Sequence, residues 1–510
     1  MKRLIIAYTV LLACFTAACG NGGSIPAGPP PVGGFTLASL KGGYAFSMSG
    51  TSVGSGGPIF RIGSFIADGQ GGITAGIEDV NNSGTPQAFA FTPAPISNYT
   101  MNANGKGTLT LVNSTGTLIF SIAMSTPTFG YIVETDGNST VSGYFQLQAL
   151  STTFSPAYAF DLSGLDTIGS SLSIVGQFTT NTSNGITGGL SDVNDDATLT
   201  PKVLIDAASF GLDPNNGNGS TFGRGGMTIT GLSFAFYVVD NSHLLLVEND
   251  QKDALVGSAT AQTGLPTTTA GLASSFVIAV GGSTGGTGPL GSLTRVGRFT
   301  SDGTGNLTNV FLDQDYNGTH TAYPKMTISS PSITVDPAGT GRGTVQFTDA
   351  SSNTSFNYVF YLSSARGGFI QDTRTNDIAD GSISAQATGP FTPSGLAGKY
   401  IVNWSGFNEN NQFEEDFLGQ YVLASGTSSN VTGEVDYTEI GSNQIVTGAS
   451  LAGTLTITGD GSAGGAMANT ATMQAGNQSF NFLAYVIDDN NIVLLGTDKH
   501  VVIGTATRQP

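Results

Sequence analysis

The sequence predicts an all-β protein of four tandem antiparallel domains, each of about eight strands in an up-and-down meander or barrel. Three observations carry this. Apolar and polar residues alternate over short runs, as in Tyr44-Ala45-Phe46-Ser47-Met48 and Thr108-Leu109-Thr110-Leu111-Val112, which is the period of a strand with one buried face. Glycine supplies 73 of 510 residues, roughly twice its ordinary share, and sits with Asn and Asp where tight turns require them. The third observation is internal repetition at a period long enough for a whole domain.

Four landmarks recur in one order. Each unit opens with an aromatic-led strand that ends in glycine: Tyr44 to Gly50, Tyr158 to Gly164, Phe276 to Gly282 and Tyr400 to Gly406. The steps between openings are 114, 118 and 124 residues. A Gly-x-Phe/Tyr strand follows, at Gly63, Gly176, Gly297 and Gly419. Next comes an apolar strand pair, Phe234–Val239 with Leu244–Val247 in the second unit, with counterparts starting at Phe120, Phe356 and Phe480. A glycine and a glutamine close the unit: Gly143 and Gln148, Gly257 and Gln262, Gly381 and Gln386, Gly504 and Gln509. The resulting domains are 38–149, 155–262, 271–386 and 395–509, each large enough for one core.

The second unit shows its strands most plainly, around 158–163, 172–180, 186–192, 199–210, 227–230, 234–239, 244–248 and 255–262. Short connections make neighbours antiparallel, and pairing the last strand with the first would remove both sheet edges. The opening Gly-x-Tyr and Gly-x-Phe/Tyr strands resemble the start of avidin- and lipocalin-type barrels, over about 20 residues per unit. The rival architecture, an immunoglobulin-like sandwich, needs a crossover between sheets, and the short connections offer none.

The N-terminus reads as an address. Met1-Lys2-Arg3 is a positive head, 4–15 is uncharged and apolar, and Thr16-Ala17-Ala18 precede Cys19. This order is a secretory signal, too short for the roughly 20 residues of a membrane-spanning helix. The small residues before Cys19 resemble the lipobox of bacterial lipoproteins, with Thr16 where that family most often has leucine. The resemblance implies cleavage of 1–18 and diacylation of Cys19. It also implies the outer membrane in a two-membrane host, because no aspartate follows the cysteine. Cys14 leaves with the signal, so the mature chain has one thiol and no disulfide is possible within it. Residues 19–37, rich in Gly and Pro, read as a tether.

Charge excludes some partners. Without Lys2 and Arg3 the chain carries 15 basic against 35 acidic residues, a net charge of −20. Nucleic acid is therefore not an expected partner, and membrane attachment falls to the lipid.

Reactive groups are sparse. His243, His320 and His500 stand in three different units, and His243, after a turn, reads as a surface residue. No serine stands in a nucleophile elbow. The Gly-x-Gly-x-x-Gly match at Gly286–Gly291 precedes no helix that could hold a phosphate. Trp404 stands where Met48 and Leu162 stand in other units, so it reads as core.

One polar pattern recurs at the end of the third strand of units one to three: Asp79-Val80-Asn81, Asp192-Val193-Asn194-Asp195-Asp196 and Asp313-Gln314-Asp315-Tyr316-Asn317. Oxygens at alternate positions followed by glycine or alanine resemble the first half of a calcium loop. Asp313, Asp315 and Asn317 are the best candidates, with Asp79, Asn81, Asp192, Asn194 and Asp196 as equivalents. The glutamate that would complete an EF-hand is missing, and the same residues are what β-turns require. Calcium is the only cofactor these residues suggest.

The chain as a whole resembles multi-domain, glycine-rich β-repeat lipoproteins of bacterial surfaces. The expectation is a non-enzymatic, lipid-anchored surface protein whose tandem domains project outward as scaffold or binding modules for a protein or glycan. Two alternatives are a small-ligand or glycan site in the barrel mouths, and a hydrolase using carboxylates, with Glu414-Glu415-Asp416 the densest cluster.

Overall fold

The computed structural model describes residues 34–510 except 182–184, 286–290, 325, 329–331, 426–428, 440–443, 457–468 and 476–477. The expected signal, Cys19, most of the expected tether and nearly all of the Gly286–Gly291 motif lie outside the described residues. The chain forms four antiparallel sheets, one per repeat. In each, the opening strand pairs with the closing one: Lys41–Ser52 with Ser139–Leu147, Ala157–Leu165 with Ala254–Ala261, Ser275–Thr284 with Asp377–Ala385, and Gly398–Asn408 with His500–Arg508.

The barrel reading holds and the sandwich does not. Barrel four is a closed ring of eight strands. Barrel two closes where Gly185–Asp195 meets both Ser171–Thr180 and Ala208–Leu212. Barrel one is nearly closed, its two ends joined by the bridge between Gly72 and Asn98. Unit three is a half-barrel among the described residues. Strand counts vary more than the repeat suggested, because the single fourth strand expected at 199–210 is two, Thr198–Ile205 and Ala208–Leu212. The first hangs off the edge of Gly185–Asp195 while the second continues the barrel wall.

The landmarks now have physical reasons. The opening tyrosine lies inside, and its phenol ties the barrel end together: Tyr44 Oη donates to the Pro127 carbonyl at 2.7 Å and Tyr158 Oη to that of Asn241 at 2.7 Å. The second-strand glycine makes room for the neighbouring core side chain. A Cβ at Gly63 would lie 2.6 Å from the Phe46 ring, and one at Gly176 2.7 Å from Phe160. The closing glycine lets first and last strands approach, since a Cβ at Gly143, Gly257 or Gly381 would lie 1.9, 1.9 or 2.0 Å from a carbonyl oxygen of the opening strand. Aromatic side chains fill the interiors. Trp404 is fully buried in barrel four against Phe417, Phe480 and Phe482, as its sequence position predicted.

The four units do not form a row. Outward-facing apolar side chains of barrel one (Ala45, Phe60, Ile62) meet those of barrel two (Ala235, Tyr237, Val239, Leu245, Val247). Barrel two meets three through Ala159 and Val175 with Val359, Tyr361 and Phe369. Barrel three meets four through Val277 and Val296 with Leu483, Tyr485, Val493 and Ile503. Ile401 and Leu418 of barrel four then join the cluster that holds Ala123, Tyr131 and Val133 of barrel one. The second strand of every barrel contacts the last two strands of the next, and Phe413–Leu423 of barrel four contacts Phe129–Glu134 and Ser139–Leu147 of barrel one. The chain closes into a ring.

Replacing Gly257 with valine should drive a side chain into the Asp161 carbonyl and separate the strands that close barrel two. We expect a loss of roughly 3 kcal/mol or more, read as a lowered urea midpoint with the other barrels still folded.

Candidate functional site

The seams between barrels gather the side chains that sequence singled out. At each seam the glutamine that closes one unit reaches into the next. Gln148 Nε2 donates to the Val238 carbonyl at 2.6 Å, Gln262 to that of Leu362 at 2.8 Å, Gln386 to that of Val486 at 2.6 Å, and Gln509 to that of Met124 at 2.7 Å. These four carbonyls occupy the same position in their barrels, so the fourth bond closes the ring from barrel four back to barrel one. A glycine before a basic residue makes room for three of these amides. Gly105, Gly223 and Gly341 have positive φ of 92°, 70° and 75°, a conformation that favours glycine. A Cβ on any of them would lie within 3.2 Å of the glutamine nitrogen.

The recurrent Asp-x-Asn pattern lies beside the latches. Residues two apart on a strand share a face, and at these positions that face is the outward one. Asp79 accepts both arms of Arg224 from barrel two at 2.7 Å and the Tyr237 hydroxyl at 2.8 Å. Asp192 repeats this toward barrel three with Arg342 at 2.8 and 2.7 Å and Tyr361 at 2.6 Å. The bidentate fork suits a carboxylate better than any single-point cation. Asp313 accepts from Tyr485 of barrel four and from its own barrel's His320 at 2.9 Å. Asp436 of barrel four takes Lys106 of barrel one at 3.0 Å, with Ala123 where the other barrels have tyrosine.

Asn81 and Asn194 turn their amides toward the next barrel too. Asn81 Nδ2 donates to the carbonyls of Glu248 and Asp253 at 3.1 and 3.2 Å, and Asn194 to those of Asp372 and Asp377 at 3.3 and 2.8 Å. Asp315 replaces the amide at the third seam. Neither of its oxygens has a hydrogen-bond partner, and burial pushes it up to about 7. Asp196 and Asn317 sit in the turns, with φ of 45° and 49°. The alternate oxygens proposed for calcium are thus divided between a seam and a turn. Among the described residues no group of three or more His, Cys, Asp or Glu side chains is arranged to hold a metal.

Inside the barrels a second set of charges is paired. Arg61 lies 3.3 Å from Glu78 and 3.6 Å from Glu134. Arg295, at the same position in unit three, is fully buried and meets Asp372 at 2.5 Å and Asp377 at 2.9 Å. Desolvation still pushes Glu134 up to about 8. In barrel four, Glu415 points inward and holds His500 Nδ1 at 2.7 Å, while its neighbours Glu414 and Asp416 point outward to barrel one. The cluster that a hydrolase would need is split between two faces by strand alternation.

No protein-family model matches this chain, and a search of curated proteins finds no match for it. The seams therefore stand on their own geometry.

One expectation is corrected. His243 is buried, stacked on Tyr144 of barrel one, and burial pushes it down to about 4. Sequence reasoning also passed over the arginine and tyrosine partners. Their signal was present: strands such as Phe234–Val239 and Leu244–Val247 are apolar at consecutive positions, which marks burial on both faces.

Asp192→Ala should leave the Arg342 guanidinium and Tyr361 hydroxyl unpaired at the seam. We expect a loss of about 3–5 kcal/mol in chemical denaturation, against little change for the exposed Asp195→Ala.

Proposed function

We propose that this chain is an exported lipoprotein, acylated at Cys19, that acts without catalysis as a surface scaffold or binding protein for a protein or glycan. The observation that carries the reading is ring closure by the four glutamine latches. At the seams, outward-facing charged and aromatic groups such as Asp79, Arg224 and Tyr237 hold barrel to barrel, and inward-facing ones such as Arg61 and Trp404 fill the barrels. Both uses suit a protein whose role is to present a surface.

The placement of the ends supports a tethered ring. The Phe35 amide donates to the Ala103 carbonyl at 3.0 Å, and Gly105 lies between Phe35 and Gln509. Residues 34–37 and Gln509 thus lie together, beside the seam of barrels four and one. The linkers between barrels lie on this face too, because each follows a latch at the end of a closing strand. Facing the other way are the turns Ser52–Pro58, Leu165–Ser171 and Asn408–Phe413, where Val53 and Ile168 are exposed. A lipid at Cys19 would set the linker face toward the membrane and offer these turns to a partner. Among the described residues no helix is long and apolar enough to cross a membrane.

Palmitate labelling in a bacterial host tests the anchor. The wild-type chain should take label and partition with membranes, and Cys19→Ala should do neither. Equal labelling of the two would overturn the reading.

A further inference from the structure

The fourth seam differs from the others in two ways. It joins barrels that are not consecutive in the chain, so no linker holds them together. The residue after the latch glutamine donates its backbone N–H across each of the first three seams: Ala149 to Val239, Thr263 to Ser363 and Ala387 to Ile487, at 2.7, 2.8 and 2.8 Å. At the fourth that residue is Pro510, which has no N–H. This seam also buries two carboxyl groups that no cation faces, as the second, linked seam buries Asp380 against Asp161. Asp416 accepts from Ser142 of barrel one at 2.7 Å through one oxygen, and its other oxygen has no partner. Glu414 faces the Thr51 hydroxyl of barrel one, and neither of its oxygens makes a hydrogen bond of good geometry.

The surroundings offer no neutralising charge. The barrel-one strands packed on Phe413–Leu423 are Gly116–Thr126, Phe129–Glu134 and Ser139–Leu147. Their titratable groups are Tyr131, Glu134 and Tyr144, with Glu134 beside Arg61 inside barrel one; Lys41–Ser52, which carries Thr51, adds Lys41 and Tyr44 in its first half, away from Thr51. The flanking strands of barrel four, Gly398–Asn408 and Ser429–Glu439, bring Lys399, Tyr400, Glu434, Asp436, Tyr437 and Glu439. Lys106, the cation that crosses this seam, is taken by Asp436 at 3.0 Å and Glu434 at 3.7 Å. His500 is held inside the barrel by Glu415.

We propose that the contact between barrels four and one is a pH-operated clasp: ionisation of Glu414 and Asp416 opens the ring into a chain of four barrels. The three linked seams remain, each with its glutamine and backbone bonds. The sign follows from burial. The closed ring holds both groups in the neutral form, with Asp416 pushed up to about 8 and Glu414 well above its ordinary range, each chiefly by desolvation. A group bound to its proton more tightly in the closed form stabilises that form at low pH. The stabilisation is complete below the ordinary carboxylate range and is lost as pH rises through the closed-state values.

Small-angle X-ray scattering of the full chain, with far-ultraviolet circular dichroism on the same samples, tests this from pH 5 to 10. We expect the radius of gyration to rise by roughly a tenth or more above about pH 8 while the β signal stays constant. E414Q/D416N should match the wild type at pH 5 and stay compact to pH 10. If that variant fails to fold, a carbodiimide cross-link between Lys106 and Glu434, formed at pH 6, should hold the wild-type chain compact instead. A constant radius to pH 10, an equal rise in the variant or the cross-linked chain, or expansion accompanied by loss of the β signal would overturn the clasp.

Discussion

The structure depends on one repeated contact, in which the last strand of a barrel hands its glutamine amide to a backbone carbonyl of the next barrel. A β-barrel satisfies its own backbone, so two barrels side by side have little reason to choose one orientation. A side-chain amide aimed at a carbonyl fixes position and rotation together. Because the same bond forms at all four seams, the rotation from each barrel to the next repeats, and four repeats return to the start. The ring is a consequence of the latch geometry applied to a tandem repeat.

Buried charge distinguishes one seam from another. Removing a carboxylate and a guanidinium from water costs energy that only good geometry recovers, and Asp79–Arg224 and Asp192–Arg342 meet that standard with a tyrosine hydroxyl added to each. The later seams use weaker versions, with His320 beside Asp313 and Lys106 beside Asp436. At another level, seam two pairs Ser173 of barrel two with Asp380 of barrel three, and seam four pairs Asp416 of barrel four with Ser142 of barrel one, so the acid and the hydroxyl exchange sides. The seams are alike enough to make a ring and different enough to keep the barrels in order. The same groups give the ring its sensitivity: carboxyls without a cation are compatible with a closed seam while they keep their protons.

The barrels were legible in the sequence because a strand with one buried face writes that face at every second residue. Tyr44, Phe46 and Met48 announce it, and the glycines at 63, 143 and their equivalents mark where core side chains or neighbouring backbone come close. The ring was written less plainly. Gln148, Gln262, Gln386 and Gln509 were visible as unit ends, but a polar residue at the end of a strand looks like a boundary until its partner barrel is in place. Asp79 and Asn81 looked like metal ligands or turn formers because both uses want oxygen at short spacing. Their true partners lie 145 to 172 residues away, beyond any local pattern. The split of the fourth strand in unit two was hidden because its two halves, Thr198–Ile205 and Ala208–Leu212, carry similar composition.

Ring closure between barrels four and one is the central claim, and zero-length cross-linking tests it most directly. Lys106 of barrel one lies 3.7 Å from Glu434 and 3.0 Å from Asp436 of barrel four, and Glu434 is open enough, at 38% exposure of its side chain, for a carbodiimide to activate it. Mass spectrometry of the monomeric, carbodiimide-treated chain at pH 6 should find Lys106 joined to Glu434 or Asp436. A row of four separate barrels would instead leave Lys106 free, or join it only to carboxylates of barrel one or of a second chain, and either outcome would contradict the ring.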